Sequence, residues 1–519
     1  MQPTVTKEAT KPQGRAVTIG LLAILGVVLL ALIPRLYFLY VATDPDVMVP
    51  SWSNDTWHRW QIAYLSKDVG FSRGFLRLWD FKGMEYYWGI LHPLVLTGIF
   101  SVTGSVDIMI LRWLTIAAGV GVVLLLYMIS RRHVGGEVAI AVALLAALNP
   151  IAIFNDVSGM VEPISFVLLL ASIYFFPRRS LLAGVFLALA AMTRAEAWLL
   201  SAGLLVAVML RQEATHRKVV LALGWAAPVG LYMKYLLDKT GNAIYPIYWN
   251  FLANAAGEWE FRETYTDYQL AARPVLVCVF AAAILGLLWV LLRQPKMELL
   301  HLLGFASTGF TAGFIGLTAY LLSYEPWFWL TRFFVFSYLF AGVLLAVIAL
   351  GWLPDRSRWW RKLGLGWVVV LVALLAMQLT WSPILYDAHQ GFTSRTSMEN
   401  LKIQGEFVAQ FYEGGTVLVP EGNAQLTYAM VRYGGLEGIH MLSQMYGPIH
   451  YYQGEDPYAD WETVGPEMWD WFEREQIMLL VMDSNDQRFL TMIEDRPDRF
   501  EYAGAVPNSG FLIYRVVPQ

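Results

Sequence analysis

The sequence predicts a polytopic α-helical membrane protein of about eleven transmembrane helices, with a small C-terminal α/β domain on the extracytoplasmic side. Three observations carry that expectation. Hydrophobic residues make up 57% of the 519 and charged residues only 15%, against roughly 25% charged in soluble domains, which leaves too little polar surface for a chain bathed in water. Apolar stretches able to cross, or nearly cross, a hydrocarbon core of roughly 30 Å recur through the first three quarters of the chain. Lys and Arg collect in every second connection, as the charge bias of cytoplasmic loops requires.

A polar stretch with Lys7, Lys11 and Arg15 precedes the first apolar run, 17–40. That run is longer than a signal-peptide core and has no small-residue cleavage site, so it reads as a retained signal anchor. The further spans are 108–130, 137–154, 160–176, 180–195, 197–210, 218–237, 274–292, 299–322, 331–353 and 363–381, with 180–210 open to being one interrupted helix. The basic connections are the N-terminus, Arg131-Arg132, Arg178-Arg179, Arg211 to Lys218, Arg293 to Lys296 and Arg356 to Lys362. They alternate with long or acidic connections at 41–107, 155–159, 238–273 and 323–330. The alternation puts the N-terminus in the cytoplasm and the C-terminus outside the plasma membrane. Arg59, Lys67, Arg73, Arg77 and Lys82 depart from it in an outer loop too long for the charge rule to govern.

That loop, 41–107, is rich in interfacial aromatics, among them Trp52, Trp57, Trp60, Trp79, Tyr86, Tyr87 and Trp88, and should hold one or two helices lying at headgroup level. Beyond the membrane part, 1–381, the composition changes. In 382–519, Thr416-Val417-Leu418-Val419-Pro420, Met478 to Met482 and Gly510 to Val517 read as strands and Gly465 to Gln476 as a helix. The net charge of −4 gives no sign of a nucleic-acid partner, and the single Cys278 permits neither an intramolecular disulfide nor a cysteine metal cluster.

Ionisable side chains near membrane helices are costly and mark functional sites. On this topology Asp55, Asp156, Glu162, Arg194, Glu196, Lys234, Glu325 and Arg332 all fall at or near the outer ends of different helices, where they could line one polar pocket. Asp55, in Ser53-Asn54-Asp55-Thr56-Trp57-His58, is the first choice for a general base that takes a proton from an attacking hydroxyl. The plain alternative is a cap on a helix over 56–65. His58, one turn on, could orient that base or bind metal, or simply pack among aromatics. Asp44 and Asp46 have a D-x-D spacing that could hold a divalent cation, or form an ordinary turn. Glu162, before Pro163, suits either a substrate contact or a helix N-terminus. Arg194 and Arg332 offer forked donors that match phosphate oxygens; snorkelling, or pairing with Glu196 or Glu325, is the other use for them.

In this order the features resemble the GT-C superfamily of membrane glycosyltransferases, and within it the protein-mannosyltransferase and aminoarabinose-transferase-like branch. The matching stretches are Asn54-Asp55, Tyr86-Tyr87-Trp88-Gly89-Ile90-Leu91-His92-Pro93-Leu94, Leu111-Arg112-Trp113-Leu114 through Ser130-Arg131-Arg132, Met192-Thr193-Arg194-Ala195-Glu196 and Trp329-Leu330-Thr331-Arg332-Phe333, over roughly 15–380. The resemblance implies an inverting transfer of a sugar from a polyprenyl-phosphate donor to a protein, lipid or glycan acceptor among the membrane lipids. Asp55 would be the base, and Arg194, Arg332 and Lys234 would hold the departing phosphate. It names no certain cofactor and leaves a divalent metal open. Two departures count: Asn54 stands where the branch often has an acid, and the Trp-Trp-Asp signature of oligosaccharyltransferases is missing from 382–519. Rival readings are a lipid-phosphate transporter or flippase, whose substrate groups would sit near mid-membrane, and a non-catalytic subunit of envelope glycan assembly.

Overall fold

The computed structural model describes residues 13–39, 48–50, 55–68, 89–133, 136–176, 178–210, 213–248, 395–420, 423–448 and 461–518. The expected spans 274–292, 299–322, 331–353 and 363–381 lie outside the described residues, as do Asp44, Asp46, Glu325 and Arg332.

The membrane part begins with α1 (Gln13–Tyr37) and strand β1 (Met48–Pro50) and continues through α2 (Asp55–Asp68), α3 (Leu91–Thr103), α4 (Ile108–His133), α5 (Gly136–Ala147) and α6 (Pro150–Ser158). It runs on through α7 (Glu162–Phe175), α8 (Ser180–Ala191), α9 (Ala195–Leu210) and α10 (Thr215–Thr240). Among the described residues three helices are long and apolar enough to cross a bilayer, Gly20–Tyr37, Ile108–Arg132 and Thr215–Thr240. Leu22, Leu25, Leu29 and Ile33 on α1, and Leu223 and Leu231 on α10, are large apolar side chains left exposed. Runs of this kind are stable against lipid, not water. The chain is a multi-pass membrane protein.

One expected span has an inner break, and one open division is resolved. The run 137–154 is two helices, because Asn149 caps α6 with its side-chain oxygen on the Ala152 N–H at 3.0 Å and Pro150 stands at the first helical position. The expected spans 180–195 and 197–210 are separate helices, parted at Met192-Thr193-Arg194, where the Thr193 hydroxyl donates back to the Ala190 carbonyl at 2.6 Å. Between α6 and α7 the chain turns at Gly159, whose backbone is left-handed.

The C-terminal part contributes β2 (Arg395–Ser397), α11 (Met398–Ala409), β3 (Thr416–Val419), α12 (Ala424–Arg432) and β4 (Met441–Ser443). Then come α13 (Trp461–Arg474), β5 (Ile477–Asp483), α14 (Gln487–Asp495), β6 (Phe500–Ala505) and β7 (Phe511–Val516). Five strands form one sheet in the order β4-β3-β5-β7-β6, parallel from β4 to β5 and antiparallel from β5 to β6. Val417 and Val419 alternate with Leu418 on β3, so the sheet buries both faces. One side packs under α11 and α12, the other under α13 and α14.

The sheet layer is joined to the first outer loop. β1 pairs antiparallel with β2, Val49 opposite Thr396. Trp57, Trp60, Tyr64 and Leu65 of α2 share one apolar core with Tyr428, Ala429 and Met430 of α12 and with Leu96 and Phe100 of α3. Every residue from Thr56 to Ser66 is buried. The sequence suggests an open helix at headgroup level; the structure covers that helix with the C-terminal layer on one side and α3 and α4 on the other.

Candidate active site

Asp55 opens α2 as its first residue. The start of this helix is held by contacts of the next residue: the Thr56 hydroxyl lies 3.3 Å from the Met160 sulfur, and its methyl stands over Gly159. The end carrying Asp55 is therefore seated on the turn between α6 and α7, two residues before Glu162. Deeper in α2, the Trp60 indole donates to the Val106 carbonyl at 2.6 Å, and the Gln61 amide donates to the Thr427 hydroxyl at 3.2 Å. At its far end the Gly438 N–H donates to the Tyr64 hydroxyl at 3.0 Å. Burial, joined by the nearby Asp68 carboxylate, pushes the Tyr64 phenol above its ordinary range, so it stays neutral and keeps this bond at any working pH. His58 is buried on the same helix.

Glu162 begins α7 with Pro163 behind it and forms an ion pair with Arg194. Arg194 is the last residue of the break between α8 and α9, so a non-helical backbone presents its guanidinium. That break is clamped from outside: the Leu91 N–H donates to the Met192 carbonyl at 3.1 Å, and Gly89, with φ +79°, lies against the Thr193 backbone. A Cβ on Gly89 would stand 2.5 Å from the Thr193 carbonyl oxygen. Gly89 thereby touches the residue next to Arg194. Glu196 lies in the first turn of α9.

Asp156 has a different neighbour from the others. Its carboxylate pairs with Arg35 of α1 at 2.6 Å, wholly buried, and Arg35 also donates to the carbonyls of Ala31 at 2.7 Å and Ala147 at 3.3 Å. The Asp156 carbonyl accepts from the Thr115 hydroxyl at 2.6 Å. Asp156 and Glu162 face one cavity of about 20 Å³, lined also by Arg35, Asn155, Val122 and Phe166. Lys234 stands on the exposed side of α10 and is ion-paired with Asp238 one turn on at 2.9 Å, which suits a solvated or headgroup-level lysine. Among the described residues no three His, Cys, Asp or Glu side chains gather into a metal-binding group.

The structure thus seats the start of α2 on the Gly159-Met160 turn through Thr56 and pairs Glu162, two residues on, with Arg194. It ties Asp156 to a partner on α1 and holds Lys234 at the periphery. Arg35 is the residue that sequence reasoning missed: it sits inside an apolar run as the only charge between Arg15 and Asp44, and a buried lone charge demands a partner somewhere in the fold.

No family model matches the chain, and no curated protein matches it. Solved structures do. It is similar to the Archaeoglobus fulgidus oligosaccharyltransferase in complex with Zn and sulfate, at 13% identity and a TM-score of 0.48, over 95% of this chain and 72% of that one. It is also similar to ArnT from Cupriavidus metallidurans bound to undecaprenyl phosphate, at 13% identity and a TM-score of 0.49, over 98% of this chain and 100% of that one. The apo form of the same ArnT matches at 14% identity and a TM-score of 0.45, over 98% and 99%. Both proteins are members of the GT-C superfamily.

Proposed function

We propose that this chain is an inverting membrane glycosyltransferase that moves one sugar from a polyprenyl-phosphate donor to an acceptor at the extracytoplasmic face. The observation that carries the reading is the seating of the Asp55 end of α2 on the turn that leads into Glu162 and its partner Arg194. A base and a phosphate ligand then share one mouth between α2, α7 and the start of α9. The further elements of the proposal are eleven spans, a cytoplasmic N-terminus, and residues 382–519 acting as an extracytoplasmic domain above that mouth.

In the reaction, an acceptor hydroxyl attacks the anomeric carbon from the face opposite the phosphate. The new carbon–oxygen bond forms as the old one breaks, and its electron pair leaves with the phosphate oxygen. The hydroxyl proton passes to Asp55. Arg194, with Arg332 beside it in this proposal, meets the charge that gathers on the departing polyprenyl phosphate. Glu162 holds the Arg194 fork in place before the donor arrives, so that less rotamer freedom is lost on binding. Glu196, Glu325 and His58 are proposed to line the acceptor side, and Lys234 to meet headgroups at the rim.

The deciding experiment supplies the purified protein with a panel of radiolabelled polyprenyl-phosphate sugars, wild type beside Asp55→Asn. Transfer or donor hydrolysis with one sugar, lost in Asp55→Asn while donor binding persists, is the expected result. Donor binding without chemistry in the wild type would favour a transporter, and unchanged envelope glycans in cells carrying Asp55→Asn would favour an accessory subunit.

A further inference from the structure

The ends of α4 and α7 that lie away from the candidate site gather four arginines. Leu111 of α4 packs against Gly159 at the seat of α2, and Arg131 stands about 30 Å further along the same helix, the thickness of a bilayer core. Beside it α7 runs from Glu162 at the site end to Phe175 at the arginine end. Arg132 ties the two helices together there: its guanidinium donates to the Tyr174 carbonyl at 3.1 Å and lies 4.3 Å from the centre of the Tyr174 ring. Arg131 donates to the Tyr127 hydroxyl at 3.2 Å. Arg178 and Arg179 follow one turn after Tyr174, and the N–H groups of both donate to the Phe175 carbonyl.

All four arginines are exposed, and among the described residues none of them has a carboxylate partner. A carbonyl, a hydroxyl and a ring face hold Arg131 and Arg132 in place without cancelling their charge. Like charges this close repel one another, and an anion that bridges them relieves the repulsion. Helix α8 opens in the same turn with Arg179 as its N-cap, without a side-chain cap and without an acid in its first turn, so its dipole adds to the positive field. Next along α8, Leu181 is 58% exposed, which sets apolar surface beside the charged one.

We propose that this end of the bundle is a binding site for the headgroup of an anionic phospholipid, whose phosphodiester bridges Arg131-Arg132 on α4 and Arg178-Arg179 before α8 while an acyl chain lies along Leu181. Guanidinium forks match the two free oxygens of a phosphodiester. In the proposed topology the lipid belongs to the cytoplasmic leaflet, where anionic lipids collect at basic groups beside membrane helices. Once bound, it fastens the far end of the helix that begins with Glu162. The inference rests on the chain being a membrane protein and is independent of the sugar-transfer reading.

The test titrates the full-length protein in detergent with phosphatidylglycerol and, separately, with phosphatidylcholine, and counts bound lipid by native mass spectrometry. Phosphatidylglycerol should bind about tenfold more tightly. Arg178→Gln with Arg179→Gln removes side chains that make no hydrogen bond or ion pair among the described residues. It should weaken phosphatidylglycerol binding about fivefold per arginine and leave phosphatidylcholine unchanged. Arg178→Lys with Arg179→Lys keeps the charge and should bind within about fivefold of wild type. Arg217→Gln is the control, because Arg217 lies in another basic connection, at the start of α10, and is ion-paired with Glu213 at 4.0 Å; its loss should cost less than about twofold. Equal affinity for the two lipids, wild-type affinity in the glutamine pair, or a lysine pair as weak as the glutamine pair overturns the proposal. So does an equal loss per arginine in Arg217→Gln, which would reduce the effect to a general attraction between a basic face and an anionic surface. Soluble glycerol 3-phosphate should not displace the lipid; displacement would assign the arginines to a free phosphate ester. If the glutamine pair does not fold, the comparison of the two lipids on the wild type, the lysine pair and Arg217→Gln decide.

Discussion

Gly119 of α4 has a carboxylate where any other residue would have its side chain: a Cβ built there would stand 1.9 Å from Asp156 Oδ2 and 2.2 Å from its Cγ. The helix backbone cannot withdraw, since α4 packs against α1, α5, α6 and α7, and the carboxylate cannot leave Arg35 without stranding a buried guanidinium. Gly119→Ala should therefore destabilise the protein by about 1–3 kcal/mol, the usual penalty of overpacking. Thermal unfolding in detergent reads this directly, and a variant as stable as wild type would mean that Asp156 does not sit where it is described. The residue scale is also where the sequence is least legible. The types of Asp55, Glu162 and Arg194 mark them as candidates, because charges beside membrane helices are rare and need a reason. The partner of Asp156 is 121 residues away on α1, and no local spacing connects the two. The ion pair of Arg194 with Glu162, 32 residues back, was equally invisible, because the sequence offers only Glu196 and Glu325 as its partners.

Breaks between elements decide where the functional side chains point. Met192-Thr193-Arg194 interrupts what composition alone reads as apolar helix, and the first residues before α3 press on it through Gly89. Gly89→Ala is expected to fail twice over: its φ of +79° is left-handed, and its new methyl would meet the Thr193 carbonyl. The consequence should be read in function as well as stability, as a loss of donor affinity of about tenfold or more from displacement of Arg194; an unchanged affinity would separate the clamp from the site. A gentler change tests the seat of α2. Tyr64→Phe removes the acceptor of the Gly438 N–H and should lower stability by about 1 kcal/mol, measurable as a shift in the unfolding midpoint. Elements with a strong period were legible. The strands at 416–419, 477–483 and 511–516 and the helix at 461–474 fall within a few residues of the runs the sequence suggests. The division of 137–154 was missed although its signals, Asn149 and Pro150, were in view. Alanine and leucine on both sides of them make one continuous hydrophobic stretch, and hydropathy does not register a cap.

At the scale of the whole molecule, charge bias and fold bear on each other. Hydropathy shows which stretches leave water, but the burial of α2 beneath residues 395–518 comes from contacts between parts of the chain more than 300 residues apart, and sequence alone does not supply them. Because α2 is covered by the C-terminal layer and Asp55 stands at its head, the proposed site and that layer share one side of the membrane in the proposed topology. The basic connections predict that this side is the outer one. Cysteine labelling tests the two inferences together. In a Cys278→Ala background, Asp498→Cys, on an exposed turn before β6, should react with a membrane-impermeant maleimide in intact cells. Arg178→Cys, exposed between α7 and α8, should react only after permeabilisation. The opposite pattern would turn the protein over and move the site to the cytoplasmic face. Labelling of both positions from outside would break the alternation and mean that the chain crosses the membrane an even number of times between them.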